Sequence, residues 1–281
     1  TLARLSHTRD VTLYCCVGND ERGRFYTEYM DQRIGSPQVS NDNPTGLWVG
    51  IYGDSLVEGL DFYGAAIDVT VSVGDLTMAK NEMFISDIDL FTIPKTKKEI
   101  NNALATVEDD CIFALSLVGA TPYETTREIL STLNKYPDLV FGNEYELSAI
   151  TGETDIVKGI SMAFPASRLV VITQAEKGAI IRFDGNIVSV GAHKVPMKDI
   201  IDTTGAGDTY MGVVLAELLH IPYQEWIMDD VIHAASTASY ASALVVQSMH
   251  SQLTPEMAEL VLKHTTDLST YNEQDGAEIP L

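Results

Sequence analysis

The sequence predicts an α/β fold, a mainly parallel sheet with helices on both faces. Three observations carry that prediction. Short apolar runs rich in β-branched residues alternate with segments of helical period. Cys111 to Val118 and Leu169 to Thr173 are apolar almost throughout, as befits strands buried on both faces. One pair of strand-like runs, around Leu47 to Phe62, follows itself without a helix between and predicts a small antiparallel piece apart from the main sheet.

Taken in order, Val11 to Val17 reads as the first strand and Glu21 to Arg33 as a helix with Phe25, Tyr29 and Met30 on one side. Leu47, Val49 and Ile51 alternate with Trp48 and Gly50, and the second run ends near Phe62, with Gly53-Asp54 as the turn between them. The βα rhythm then becomes regular. Met83 to Phe91 is strand-like, Lys95 to Val107 helical, Cys111 to Val118 a strand, and Pro122 to Leu133 a helix with proline in its first turn. Leu139 to Phe141 is a short strand, and Glu144 to Ile150 begins a helix. Leu169 to Thr173 and Ala179 to Phe183 are strands, with a turn at Asp184-Gly185. The remainder reads as helices over Gly207 to Leu219, Asp229 to Val246 and Thr254 to His264. No repeat or low-complexity linker interrupts 1–281, so a single domain is expected, with a small β lid around 43–66.

Composition narrows the function classes. Hydrophobic residues make up 45% and charged residues 21% of 281 residues, which excludes a disordered chain. With 18 basic and 40 acidic residues the net charge is −22, a surface that repels nucleic-acid backbones and anionic lipid, so neither is an expected partner. Val231 to Leu253 lacks any charged residue, but its serines, threonine and glutamine make it too polar for a bilayer. Three cysteines, Cys15, Cys16 and Cys111, make neither a disulfide framework nor a zinc spacing, and a reducing, cytoplasmic setting is expected. The histidines show no metal-ligand spacing.

Chemistry concentrates in Asp202-Thr203-Thr204-Gly205-Ala206-Gly207-Asp208, which runs into a helix carrying Met211, Leu215 and Leu218. Two glycines around a small alanine let successive N–H groups point one way at a helix N-terminus, forming an anion site. Asp208 then stands beside that site, placed to accept a proton from an attacking hydroxyl. Taken alone, the string also reads as a helix cap on a tight loop. It has neither the spacing nor the Lys-Ser/Thr ending of a Walker A loop, and it lacks the third glycine of the dinucleotide fingerprint.

The string at 202–208 resembles the signature of the PfkB, or ribokinase-like, family of carbohydrate and nucleoside kinases. Other segments agree in order and approximate spacing. Asn143-Glu144-Tyr145-Glu146 resembles the family's Asn-x-x-Glu motif, and Val171-Ile172-Thr173 with Lys177-Gly178-Ala179 resembles the strand and turn over the nucleotide phosphates. Gly18-Asn19-Asp20 with Gly23-Arg24-Phe25 resembles its Gly-x-Asp-x-x-Gly segment, and Asn43-Pro44-Thr45-Gly46 the Pro-Thr-Gly that opens a lid strand. The resemblance implies a ribokinase-like fold and an ATP-dependent kinase acting on a hydroxymethyl group of a nucleoside or sugar. It makes Asp208 the catalytic base and Gly205, Ala206 and Gly207 the anion hole. It assigns Thr173, Gly178 and Asn143 to the nucleotide, and Asn143 and Glu146 to Mg²⁺ through water. A homodimer through the lid is a further expectation.

Three places depart from the family pattern. Its opening strand and the Gly-Gly-Asn run that grips the acceptor would precede Thr1. The glycine usual two residues after Thr173 is replaced in Gln174-Ala175, and the one usual after the late Ala-rich helix is missing from Gln247 to His250. Ser116 to Pro122 and Tyr63-Gly64-Ala65-Ala66 look like the adenosine-kinase-like branch, with Trp48, Phe62 and Tyr63 as aromatics that could stack on a purine. The departures support a second reading, a kinase fold that has lost catalysis and serves as a structural or regulatory subunit.

Overall fold

Strand alternation sorts the apolar residues of the main sheet onto two faces, and each face carries its own core. A computed structural model describes residues 5, 11–30, 34–52, 56–71, 83–118, 123–267 and 276–278. Two small sheets come first in the chain. β1 (Cys16–Gly18) pairs in parallel with β2 (Gln38–Ser40), and β3 (Leu47–Tyr52) pairs antiparallel with β4 (Leu56–Phe62), with Leu47 opposite Phe62. The latter pair is the expected antiparallel lid piece; its turn at Gly53-Asp54 lies outside the described residues.

The main sheet comprises β5 (Met83–Asp87), β6 (Ile112–Ser116), β7 (Leu139–Asn143), β8 (Leu169–Thr173), β9 (Ala179–Phe183), β10 (Asn186–Val190) and β11 (Gly276–Glu278). Its order is β11-β10-β9-β8-β7-β6-β5, parallel from β5 to β8 and antiparallel beyond. The α-helices are α1 (Glu21–Tyr29), α2 (Pro94–Leu104), α3 (Tyr123–Ser131), α4 (Glu144–Thr151), α5 (Ile156–Ala163), α6 (Ala206–Leu218), α7 (Met228–Val246) and α8 (Pro255–Asp267). Ile112, Ala114, Leu139, Phe141 and Val171 face α6 and α7, whereas Phe113, Leu115, Val140, Val170 and Ile172 face Ile100, Ile129, Leu147 and Ile160 of α2 to α5. Period-two alternation therefore builds a two-sided core from nearly continuous apolar runs.

Several elements differ from the sequence reading. The first strand covers only Cys16–Gly18, with 11–15 irregular, and α1 ends at Tyr29. Phe25 and Tyr29 are 60% and 75% exposed and pack on one another at 4.4 Å rather than on the core. α5 was not anticipated, because Lys158 and Gly159 weaken its period; Asp155 caps it by accepting from the Lys158 amide. β10 was also unanticipated, although its turn was read correctly: Asp184 and Gly185 have φ of +47° and +86°, a hairpin geometry that suits the twist of the flanking strands. α6 is buried nearly all round, through Val213, Val214, Leu215, Ala216 and Leu218, since it is sandwiched between the sheet and the small residues of α7. The start of the helix at Pro122 lies outside the described residues. Among those residues no helix is long and apolar enough to cross a membrane.

Two sequence motifs far apart in the chain lock the root of the lid. Asp20 accepts from the Gly23 amide at 2.8 Å, from Thr45 Oγ1 at 2.6 Å and from the Thr45 amide at 2.8 Å. Those bonds, with the Thr45 hydroxyl first, hold its carboxyl down at about 2. Asp68 takes hydrogen bonds from Asn43, Lys95 and Ser40, which likewise keep it below the usual carboxylate range.

Candidate active site

Parallel strands present their carboxyl ends along one edge, and here those ends are polar. Asp87, Ser116, Asn143 and Thr173 are the final residues of β5, β6, β7 and β8. Asp87 is level with Ser116, and Asn143 with Thr173. A crevice at such an edge is where open α/β sheets bind ligands.

The 202–208 loop meets this edge from the other side of the crevice. Its entry is tied down by the Ile201 and Asp202 amides, which donate to the Val246 carbonyl at 2.8 and 3.3 Å. Asp202 accepts from the Thr204 amide at 2.9 Å, which lowers its carboxyl and shapes the turn. Gly205 follows with φ of +80° and is the N-cap of α6; no side chain caps this helix. A Cβ on Gly205 would stand 1.9 Å from the Ser251 carbonyl oxygen, so both conformation and space require glycine. The Ala206 amide turns back to the Thr203 carbonyl at 3.2 Å, whereas the amides of Gly205, Gly207 and Asp208 have no partner among the described residues. Ser242 of α7 donates to the Ala206 carbonyl at 2.9 Å and holds the first turn in place.

Asp208 lies in that first turn and is exposed, with neither hydrogen bond nor ion pair among the described residues. The capping alternative for Asp208 therefore fails: the cap position is Gly205. Asp208, Gly207, Asn143, Glu146, Thr173 and Ser116 all line one cleft of about 160 Å³. A roomier concavity of about 430 Å³ beside α1 and β1 contains none of the site residues expected from sequence.

Asn143 and Glu146 form a reciprocal cap on α4. Asn143 Oδ1 accepts from the Tyr145 and Glu146 amides, both at 2.9 Å, and Glu146 Oε2 accepts from the Asn143 amide at 2.8 Å. The Asn143 side-chain amide also hydrogen-bonds the Glu146 carboxylate, and both residues line the cleft. Burial raises the Glu146 carboxyl, the Asn143 amide lowers it, and the charges of Asp208 and Asp87 raise it again. No described group of three His, Cys, Asp or Glu side chains is close enough to chelate a metal. The donor set fits Mg²⁺ held through water, since that ion keeps several waters and needs one or two carboxylates.

The turn after β8 is tight. The Gln174 amide donates to the Gly178 carbonyl at 2.7 Å, and Gly178 has φ of +99° with the Val190 carbonyl oxygen 2.0 Å from where a Cβ would be. Ala175 has φ of +48°, so the chain keeps a left-handed residue where the family pattern has glycine. Such a conformation costs a non-glycine residue about 1–2 kcal/mol. Ala175→Gly is accordingly expected to stabilise the protein by about 1 kcal/mol, measured by denaturant unfolding. By contrast no residue from Gln247 to His250, where a second glycine is missing, has a positive φ, so that departure carries no backbone strain.

Asp87 was not singled out from the sequence. Burial pushes its carboxyl up to about 6, a hydrogen bond from Ser116 lowers it, and the charges of Asp89 and Asp208 raise it. The sequence reading carried this strand on to Phe91, which left Asp87 in its interior, whereas the structure ends the strand at Asp87.

This chain belongs to the pfkB family of carbohydrate kinases, whose profile (pfkB family carbohydrate kinase) matches residues 1–257. Among curated relatives it is similar to adenosine kinase 1 of Arabidopsis thaliana, 27% identical over an alignment 148 residues long that covers 48% of this chain and 41% of that enzyme. A cytidine kinase of Thermococcus kodakarensis is 34% identical over 95 residues, 34% of either chain. The matches thus span well under half the length of these relatives. The fold superposes on adenosine kinase from Sinorhizobium meliloti with a TM-score of 0.75 at 17% identity, covering 94% of this chain and 80% of that one. Aminoimidazole riboside kinase from Salmonella enterica, solved with aminoimidazole riboside and an ATP analog, gives 0.72 at 16% identity, covering 93% and 88%. The fold is therefore ribokinase-like.

Proposed function

We propose that this chain is an ATP-dependent phosphotransferase that phosphorylates a hydroxymethyl group of a nucleoside, adenosine-like, or of a sugar. The observation that carries the reading is Asp208: an exposed carboxylate with no described partner, in the first turn of a helix whose Gly205 and Gly207 amides have no described partner, lining one cleft with Asn143 and Glu146. Asp208 would take the proton of the attacking hydroxyl. The Gly205 and Gly207 amides, with Ala206 adding to the helix dipole, would hold the charge that develops on the transferred phosphoryl group. Thr173 and Gly178 would flank the nucleotide, and Asn143 Nδ2 would donate to a phosphate oxygen or its water. The Glu146 carboxylate would hold a water of Mg²⁺, an ion that would supply positive charge against the phosphates. The names of the relatives support a nucleoside or sugar acceptor, and the Tyr63 to Ala66 string favours the former.

We further propose that 1–281 acts as one kinase domain with its lid at 43–66, that two copies pair through the lid, and that it works in the cytoplasm. Sedimentation at graded concentration tests the pairing. For the nucleotide, Mg-ATP at a hundred times its Kd is expected to stabilise the fold by about 2.7 kcal/mol. That appears as a rise of a few degrees in melting temperature. No rise at millimolar Mg-ATP would favour the catalytically degenerate, structural-subunit reading.

A further inference from the structure

The reading above leaves Asp87 without a task, and its surroundings define one. Along the strand ends, Asn143 and Thr173 mark the nucleotide side at β7 and β8. Asp87 ends β5, two strands from β7, which places it roughly 10 Å along the edge. The charge of Asp208 acts on both Asp87 and Glu146, so the base is within reach of both flanks. On the β5 flank the lid comes down to the sheet: Tyr63, the residue after β4, donates to Asp89 Oδ2 at 3.2 Å, two residues past Asp87. Asp87 thus stands on the β5 flank, level with Ser116 of the cleft wall and two residues from the Asp89 that Tyr63 reaches.

The chemistry of that flank is selective. No Lys or Arg is among the residues lining the cleft, and Lys95, on α2, is paired with Asp68 at 2.7 Å. Among the described residues, the charged groups acting on Asp87 are Asp89 and Asp208, both acidic, and the Ser116 hydroxyl hydrogen-bonds it. A carboxylate so placed is poorly solvated until further donors reach it, and hydroxyl groups are such donors. A second anion brought to the same place meets like charges and, among the described residues lining the cleft, no cation.

We propose that Asp87 is the acceptor-selecting residue of this site: with Ser116 it receives a hydroxyl of a neutral sugar or nucleoside next to the hydroxymethyl that is phosphorylated, and it turns away acceptors that already carry a phosphate. This rests on the phosphotransferase reading for what counts as an acceptor. It does not require that the chain be active.

Binding is therefore measured by calorimetry without ATP, on the full chain. The probes are adenosine and cytidine against their 3′-monophosphates, and fructose against its 1- and 6-phosphates. At least one neutral compound is expected to bind, with its phosphates on the order of 100-fold weaker. Asp87→Asn, near in shape, is expected to weaken the neutral compound about tenfold and to narrow the discrimination against its phosphates; Asp87→Ser serves as the second variant, and melting curves confirm that each folds. The proposal is overturned if a phosphate binds as tightly as its neutral parent, if both variants keep the full discrimination, or if neither class binds. A parent that shows the expected pattern yet transfers no phosphoryl group overturns the proposed activity and supports the role of Asp87.

Discussion

Asp208→Asn is expected to lower phosphoryl transfer by on the order of 10²–10⁴ while leaving the fold and Mg-ATP binding nearly unchanged. The amide matches the carboxylate in shape, but it is far too weak a base to accept the proton of an attacking hydroxyl. Because Gly205 is the N-cap of α6, no capping bond is lost with the carboxylate. The structural cost is limited to a favourable charge near the helix N-terminus, about 0.3–1 kcal/mol. Asp208→Ala should therefore share the kinetic defect at a similarly small cost in stability. Single-turnover rates and melting curves for the two variants separate the roles. An Asp208→Asn protein that turned over at the parental rate would end the assignment of Asp208 as the base.

Gly205→Ala and Gly207→Ala are expected to fail in different ways. At position 205 the methyl meets the Ser251 carbonyl at 1.9 Å and the backbone is left-handed, with φ of +80°. The loop must move, at a cost of at least about 1–2 kcal/mol from the conformation alone. A displacement of the amides by about 1 Å is enough to reduce transfer by on the order of 10². At position 207 a Cβ has no heavy atom within 4 Å, and alanine favours a helix over glycine by up to about 1 kcal/mol. That variant should be as stable as the parent or more so, yet its methyl would stand beside the amide that a phosphoryl oxygen approaches. Loss of Mg-ATP binding or of turnover without loss of stability would then report on the ligand alone. If Gly207→Ala bound Mg-ATP and turned over normally, the anion hole would have to lie elsewhere.

The order of residues determined the α/β architecture, the separate lid hairpin and the loop that carries Asp208. Each rests on a local signal. Apolar runs of strand length mark β6 and β8; two adjacent strand-like runs with no helix between mark β3 and β4; Gly-Ala-Gly-Asp before a helix marks the loop proposed as the anion site. These features act over a few residues, so neighbouring residues suffice to read them. Asn143 and Glu146 were legible only through their resemblance to the family's Asn-x-x-Glu motif; that they also cap a helix reciprocally was seen in the structure.

Only the tertiary structure decided which of these pieces meet. Asp87 and Asp208 are far apart in the chain, and nothing local to either announces the other; the parallel register of β5 to β8 and the packing of α6 against the sheet bring their charges together. The same holds for Asp20 and Thr45, 25 residues apart, whose bonds fasten the lid root. The left-handed Ala175 could not be read either, because alanine ordinarily avoids that conformation, and here the Gln174–Gly178 turn imposes it. Residue order thus sets what each segment can do alone. Long-range pairing and burial set the fields and constraints that those segments impose on one another, because charge and steric contact act through space and not along the chain.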